Sequence, residues 1–196
     1  MGIDFPGRDQ LVSAFDAAVA AGDTASIMRA LRSSLCDAIH SGSVRLPDCV
    51  FEGCGEHYAR RELYRSPEHG YCVIAMTWSP GQGTPIHDHS GMWCVEAVWR
   101  GALEVVQYEL REHDGQRYHF VPAGAIQAGT GSAGSLIPPH EHHTIRNASD
   151  TDIAVSVHVY QDEMTHCNVF EPEHGEWYLR HPRELHLDAG SAASAP

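Results

Sequence analysis

The chain of 196 residues contains 15 histidines, and several of them form two clusters whose residue types suit metal binding. In the first cluster, His87 and His89 are separated by one residue and precede a β-rich segment. Alternate residues of a strand point to the same side, so these two imidazoles are expected to converge on one point. Two neutral imidazoles placed in this way supply half of a first-row transition-metal site. A pair of exposed polar residues beside a turn is the alternative interpretation.

The second cluster is the segment PPHEHHTIRN, which contains His140, His142 and His143 and precedes another β-rich run. A barrel could bring this segment opposite His87 and His89. Several histidines close to a Pro-Pro turn could also be surface residues without a ligand, and the pattern alone leaves both interpretations open.

A third segment, IAVSVHVYQ, contains Ser156, His158 and Tyr160 at alternate positions between valines. The hydroxyl, imidazole and phenol groups therefore share one face of a predicted strand. A Ser–His–Tyr hydrogen-bond chain would fix the imidazole tautomer and orient the phenol. A sheet with one solvated face is the alternative. The strand-to-helix motif GxSxG of many serine hydrolases is absent, so hydrolase chemistry has little support.

The elements that must position these residues are two helices followed by many short strands. Apolar residues at helical spacing predict two helices within residues 8–41, with a break at Gly22-Asp23-Thr24 and an end at Ser41-Gly42. The predicted strands are Tyr71–Trp78, Met92–Trp99, Leu103–Leu110, Arg117–Val121, Ala125–Ala128, Ser135–Pro138, Thr144–Arg146 and Ile153–Tyr160. Turns are predicted between them, including one at Pro122-Ala123-Gly124. Short strands at this spacing favour a sandwich or closed barrel.

Composition limits the classes of partner. The chain is long enough for one domain with a substantial core, residues 1–196, with a loose polar tail over residues 187–196. A net charge of -13 disfavours nucleic acid and anionic membrane as partners. No stretch resembles a signal peptide or a membrane span. Six cysteines without a CxxC pair indicate free thiols in a reducing cytoplasm.

The intervals between these residues add a specific signal. Gly81, His87, His89, position 94 and Gly101 follow the first motif of the cupin superfamily, and His143 with Asn147 follows the second. The chain resembles, more closely, the thiol dioxygenases and above all cysteine dioxygenase, over most of residues 45–175. The resemblance includes YAR at Tyr58–Arg60, HDH at His87–His89, Cys94, HHTIRN, SVHVY and Cys167. It implies a mainly β, jelly-roll-like cupin barrel with the two N-terminal helices packed outside.

The resemblance also implies a metal centre. Three histidines hold ferrous iron, Fe(2+), in that family, and they map to His87, His89 and His143, with His142 and His140 as alternatives for the third ligand. Most cupins have a metal-binding glutamate where this chain has Cys94, so three histidines without a carboxylate are expected here. Asp88 follows His87 directly and is expected to point away from the metal.

Further roles follow from the same resemblance. Arg60 is expected to bind the substrate carboxylate with its fixed guanidinium fork, with Arg61 as the rival and Tyr58 as a supporting residue. Tyr160 would donate a hydrogen bond at the reacting centre, positioned by Ser156 and His158. Some members of the family carry a thioether between a cysteine and this tyrosine. Cys94 and Tyr160 occupy those positions, although a buried structural cysteine is the alternative for Cys94.

The implied function is oxidation of L-cysteine by dioxygen to cysteine sulfinate, by a cytoplasmic monomer whose partners are a small thiol and O2. The same reaction on 3-mercaptopropionate or mercaptosuccinate is one alternative. A metal-binding cupin without oxygenase activity is another, since it would need the three histidines but not Arg60 and Tyr160 together.

Overall fold

The computed structural model describes residues 3–188, which form two N-terminal helices and eleven strands. The helices are α1 (Arg8–Val19) and α2 (Thr24–Ser41), and a short 3-10 helix follows at Asp48–Phe51. The strands are β1 (Ala59–Arg65), β2 (Cys72–Trp78), β3 (Ile86–His87), β4 (Cys94–Arg100), β5 (Ala102–His113), β6 (Arg117–Gly129), β7 (Ala133–Leu136), β8 (His143–Asn147), β9 (Ala154–Tyr160), β10 (His166–His174) and β11 (Trp177–Glu184). Neither helix of this part of the chain is long and apolar enough to cross a membrane.

The second helix has clear start and stop signals. The Asp23 side chain accepts a hydrogen bond of 3.0 Å from the backbone N–H of Ser26, which satisfies a free donor of the first turn. Gly42 ends the helix in the left-handed conformation, with φ of 64°. The buried residues recur at helical spacing and are Ile27, Met28, Leu31, Leu35 and Ala38. The predicted helices are therefore confirmed.

The strands form two antiparallel sheets. The first has the order β1-β2-β9-β4-β7, and the second closes on itself in the order β10-β11-β6-β5-β8-β3. The helices cover the outer face of the first sheet, where an apolar cluster includes Leu31, Leu35 and Val157. A second cluster, with Ile74, Trp78 and Leu103, fills the space between the sheets. The predicted mainly β, jelly-roll-like architecture with two outer helices is confirmed.

Strand β9 is buried along its whole length, so both of its faces have a packing partner. Val155, Val157 and Val159 belong to the cluster under the helices. Ser156 and His158 are buried on the opposite face, which points to the interior between the sheets. The alternative of a solvated face for these polar residues is therefore wrong.

Some predicted boundaries are wrong. Residues 117–129 form one strand, β6, in place of two strands and a turn at Pro122. Gln107 pairs with Gly124 and Tyr108 with Pro122, which leaves Ala123 without a partner in a β-bulge that accommodates the proline. Strands β1, β10 and β11 were not predicted, because charged residues interrupt their apolar alternation.

The predicted loose tail begins in the described part of the chain and ends outside it. Leu187 is exposed, whereas Asp188 is anchored: its backbone N–H donates to the carbonyl of Arg60 over 2.7 Å. Its carboxylate in turn accepts a hydrogen bond of 2.8 Å from the backbone N–H of Arg60. Residues 189–196 lie outside the described residues.

Candidate metal centre

His87, His89 and His143 meet at one end of the interior between the sheets. Each offers a ring nitrogen, and the three nitrogens lie within 4.8 Å of one another. The ring centroids are 5.3 Å apart for His87 and His89, 4.4 Å for His87 and His143, and 5.2 Å for His89 and His143. Neutral imidazoles converging at this spacing are a donor set for a first-row transition metal.

The backbone brings the two histidine segments together. His87 on β3 pairs directly with His143 on β8. Upstream, Gly83 forms a bridge to Arg146, where a Cβ at position 83 would approach the Arg146 Cβ to 2.6 Å. Only glycine allows this close approach, which anchors the segment before His87 on β8. The backbone N–H of His89 donates to the carboxylate of Glu141 over 3.2 Å, which ties His89 to the segment that contains His143.

Hydrogen bonds to carbonyl groups set the tautomers of two of these rings. Nδ1 of His87 lies 3.2 Å from the carbonyl oxygen of Pro85, and Nδ1 of His143 lies 2.9 Å from that of Glu141. A carbonyl only accepts, so Nδ1 carries the proton and the Nε2 lone pair is free for a metal. Burial lowers the pKa of all three imidazoles, that of His143 to about 4, so they are neutral. The residues present therefore fit a divalent metal ion.

The neighbouring polar residues do not join this group. The His142 ring packs against Phe120 at 4.8 Å, and burial lowers the pKa of its imidazole. His140 is exposed. Asp88 accepts hydrogen bonds from the backbone and side chain of Asn168, at 2.9 and 2.7 Å, so the prediction that it points away from the metal position is confirmed.

A small cavity in front of the histidines contains most of the other predicted residues. Its lining residues are Tyr58, Arg60, Met76, Trp78, Thr84, His87, His89, His143, Ile145, His158, Tyr160, Met164, Cys167 and Leu185. Tyr58 stacks on Trp78 with ring centroids 4.5 Å apart, so these two rings form one wall. The predicted metal ligands, the predicted guanidinium and the predicted phenol thus line one space.

Register separates the two adjacent arginines of β1. Arg60 pairs with Met76, whose side chain faces the interior, and Arg61 pairs with Ala75, which faces the helices. The Arg61 guanidinium donates to the hydroxyl of Thr77 over 3.2 Å, away from the cavity. Arg60, not Arg61, therefore reaches the candidate site.

The Arg60 guanidinium is buried and has only weak partners. Its side chain lies near the carbonyls of His186 and Met164, both at 3.4 Å, and the residue is 4% exposed. Within residues 3–188, no carboxylate forms a salt bridge with this guanidinium. A buried guanidinium without an anionic partner is a strong candidate for binding an anionic ligand.

The three polar residues of β9 are linked differently from the predicted Ser–His–Tyr chain. The indole N–H of Trp78 donates to the Ser156 hydroxyl over 2.9 Å, and that oxygen lies 2.8 Å from Nε2 of His158. The His158 and Tyr160 rings lie nearly parallel with centroids 5.9 Å apart. Among the described residues, no hydrogen bond joins these two rings, so only the Ser–His link of the predicted chain is present.

Cys94 and Tyr160 are direct neighbours across strands β4 and β9. Both side chains are buried, and burial raises the pKa of the thiol and of the phenol well above their ordinary values. Sγ of Cys94 also lies 4.0 Å from Nδ1 of His158. All six cysteines lie in the described part of the chain and are free, as predicted.

One buried residue beside the site, Glu96, was missed by the sequence analysis. One carboxylate oxygen lies 3.4 Å from Nδ1 of His158 and 4.0 Å from Nε2 of His143. Burial raises the pKa of this carboxyl to about 7. The available signal was a single carboxylate on the interior face of an apolar strand, two residues after Cys94.

Two solved structures are similar to part of this chain. A cupin protein of Desulfovibrio desulfuricans, described as RmlC-like, is 20% identical with a TM-score of 0.41, and the match covers 57% of this chain and 90% of that one. The structure of the protein TT1209 from Thermus thermophilus is 20% identical with a TM-score of 0.45, covering 59% of this chain and 94% of that one.

Sequence comparison is more informative. Cysteine dioxygenase type 1 of Danio rerio is 24% identical over 103 residues, which is 53% of this chain and 51% of that protein, so the match spans about half the length of this curated relative. The family profile described as Cysteine dioxygenase type I matches residues 55–173, more than half of the chain and all of the predicted site residues. The chain belongs to the cysteine dioxygenase type I family.

Proposed function

We propose that the protein is a non-haem iron thiol dioxygenase that oxidises L-cysteine with dioxygen to cysteine sulfinate. In this proposal His87, His89 and His143 hold Fe(2+). The observation that carries it is that three neutral, converging imidazoles share one cavity with a buried guanidinium that has no salt-bridge partner among the described residues. Membership of the cysteine dioxygenase type I family supports the same assignment.

The metal would supply the redox chemistry for dioxygen and would lower the pKa of a bound thiol. Three neutral ligands leave its positive charge uncompensated by protein, which favours a thiolate as a further ligand. The task of the protein is then to orient the substrate and to exclude water.

Arg60 is the residue proposed to orient the substrate. Its planar fork matches a carboxylate, and its weak contacts with two carbonyls are readily exchanged for a charge-assisted pair. The Tyr58–Trp78 wall would limit the size of the thiol. This arrangement suits a small thiol that carries a carboxylate within a few bonds of the sulfur.

Tyr160 and Cys94 are proposed to act at the reacting centre. The Tyr160 ring lies 5.6 Å from the ring of His89, so the phenol could donate a hydrogen bond to a substrate held there. Its position directly opposite Cys94 supports a thioether between the Cys94 sulfur and a Tyr160 ring carbon as part of the proposal. Forming that bond removes the thiol hydrogen and one ring hydrogen, a two-electron oxidation for which dioxygen would be the oxidant. Ser156 and His158 would act by positioning.

The experiment that tests the function is oxygen uptake by the iron-loaded protein with L-cysteine, 3-mercaptopropionate, mercaptosuccinate and cysteamine in parallel. Zinc-loaded protein is the matched control, because it keeps the fold but has no redox chemistry. Uptake with L-cysteine and a product heavier by two oxygen atoms is expected. Oxygen uptake with another thiol but not with L-cysteine would show that this other thiol is the substrate. No uptake with any thiol would favour a metal-binding cupin without oxygenase activity.

Two further parts of the proposal concern the protein as a whole. We propose that it is a monomer, which size-exclusion chromatography with light scattering tests directly. A cytoplasmic location is proposed from the free thiols and the proposed small-thiol substrate.

A further inference from the structure

Glu96 lies opposite His158 in the central pairing of β4 with β9. Both side chains are nearly buried, with 12% of Glu96 and 3% of His158 exposed. One oxygen of the carboxylate is buried without a conventional hydrogen bond, although Nδ1 of His158 lies only 3.4 Å away. An uncompensated carboxylate costs stability in such a place, so its role requires an explanation.

The hydrogen bonds that join Trp78, Ser156 and His158 suggest a role for this carboxylate. The indole of Trp78 can only donate, so the Ser156 oxygen is the acceptor and its hydroxyl proton is free to donate onward. The ring atom that it meets is Nε2 of His158, at 2.8 Å. Because a hydroxyl oxygen can accept two hydrogen bonds, the direction of this contact depends on the group that faces Nδ1 of the same ring. Nδ1 lies 3.4 Å from the Glu96 carboxylate and 4.0 Å from Sγ of Cys94. An ionised carboxylate only accepts, so the nearer of these two groups favours a proton on Nδ1 and an acceptor at Nε2.

We propose that Glu96 is a positioning residue that accepts the Nδ1 proton of His158 and fixes the tautomer and orientation of that ring. His158 is then held from both sides, by Ser156 and by Glu96. The Tyr160 ring lies nearly parallel to that of His158, with centroids 5.9 Å apart, so its hydroxyl stays available to the substrate. This consequence for catalysis rests on the proposed function, whereas the tautomer does not.

The surroundings show why a substitution at this position can be informative. The neighbouring interior residues include Val98, Leu103 and Ile145, so an apolar side chain of similar size suits the space. Replacing a buried, poorly paired charge with an apolar residue is often neutral or stabilising. Glu96→Leu is therefore expected to fold, and Glu96→Gln keeps an oxygen that can accept the Nδ1 proton.

The test is nitrogen-15 NMR of the histidine rings in the full chain loaded with diamagnetic zinc, with the His158 signals assigned from their loss in His158→Gln. Long-range proton–nitrogen correlations distinguish the two neutral tautomers. The wild-type ring and the Glu96→Gln ring are expected to show the Nδ1–H form. Glu96→Leu is expected to lose it in favour of the Nε2–H form or a mixture.

A matched control is Glu104→Leu, which removes a half-exposed carboxylate paired with Arg146 and should leave the His158 tautomer unchanged. An Nε2–H form in the wild-type protein would overturn the proposal without any variant. An unchanged Nδ1–H form in Glu96→Leu would also overturn it.

Kinetics with the iron-loaded protein form a second readout. Loss of partners that orient a metal-site ring reduces activity by about 10- to 100-fold, so kcat of Glu96→Leu should fall by about tenfold or more, with KM little changed. If the tautomers are as expected but no thiol drives oxygen uptake, the proposed function fails and the tautomer assignment stands. If uptake is normal but the tautomers differ, only the role of Glu96 fails.

Discussion

Replacing Arg60 by alanine tests the orientation of the substrate. The guanidinium is 4% exposed, and within residues 3–188 it has no salt-bridge partner, so a substrate carboxylate would be its main anionic contact. Two unit charges 4 Å apart interact by about 4 kcal/mol at an effective dielectric constant of about 20. Desolvation offsets part of this, and loss of one partner of a buried, hydrogen-bonded pair costs about 2–5 kcal/mol.

We therefore expect Arg60→Ala to lose about 2–4 kcal/mol of binding to the substrate carboxylate, which lowers kcat/KM for L-cysteine by about 30- to 900-fold. Cysteamine has the same thiol and amine but lacks the carboxylate, so its kcat/KM should change by no more than a few fold. Arg60→Lys keeps the charge and loses the fork, so it should lie between the wild type and Arg60→Ala. The assay is oxygen uptake over a range of thiol concentrations for both substrates.

The matched control is Arg61→Ala, one position along β1. Arg61 donates to Thr77 and to the carbonyl of Glu52 on the helix-facing side, so its loss should lower stability. It should not change the ratio of the two kcat/KM values. An equal loss of activity on L-cysteine and cysteamine in Arg60→Ala would refute the carboxylate role, since a general disturbance of the site would affect both thiols.

Three further predictions concern the metal, the C-terminal segment and the core. His89→Ala leaves only two of the three ligands, so bound metal is expected to fall from about one ion per chain to near zero. Elemental analysis measures this, and a full complement of metal would contradict the ligand assignment. Burial raises the pKa of the Asp188 carboxyl, but its hydrogen bonds, chiefly that from the backbone of Arg60, outweigh burial and lower the pKa below the ordinary value. The stabilisation by Asp188 should therefore be complete above about pH 4 and disappear as the pH falls through the lowered pKa. Urea unfolding of the wild type and Asp188→Ala over this range measures the difference in free energy of unfolding. A difference that grows as the pH falls would contradict the prediction. Tyr71→Phe removes a buried hydroxyl that donates to Asp16 over 2.8 Å, and should lower the free energy of unfolding by about 1.5–3 kcal/mol in urea titrations, with no effect on metal content; an unchanged unfolding midpoint would show that this hydrogen bond contributes nothing.

Local periodicity in the sequence predicted several features correctly. The i, i+2 spacing of His87 and His89 placed both rings on one side and Asp88 on the other, because the side-chain period of an extended chain is two. The apolar repeat of residues 24–41, with Asp23 before it and Gly42 after it, predicted α2 and its ends. These features depend on interactions between residues close in the chain, so the sequence carries them directly.

The pairing of distant strands decided the rest. His143, not His142, completes the cluster because its backbone pairs with that of His87, and Arg60 enters the cavity because it pairs with Met76. In each case a shift of one residue would have turned the neighbouring side chain inward.

The partner of His158 was likewise a tertiary result. Glu96 meets His158 only because β4 and β9, which are far apart in the sequence, lie side by side in one register. The bulge that absorbs Pro122 depends in the same way on its partner strand, β5. The sequence by itself therefore determined which residue types share a local face, whereas the register between strands decided which of those faces meet. The reason is that side-chain direction alternates at every residue of a strand, so the pairing of distant strands determines which residues point to the interior.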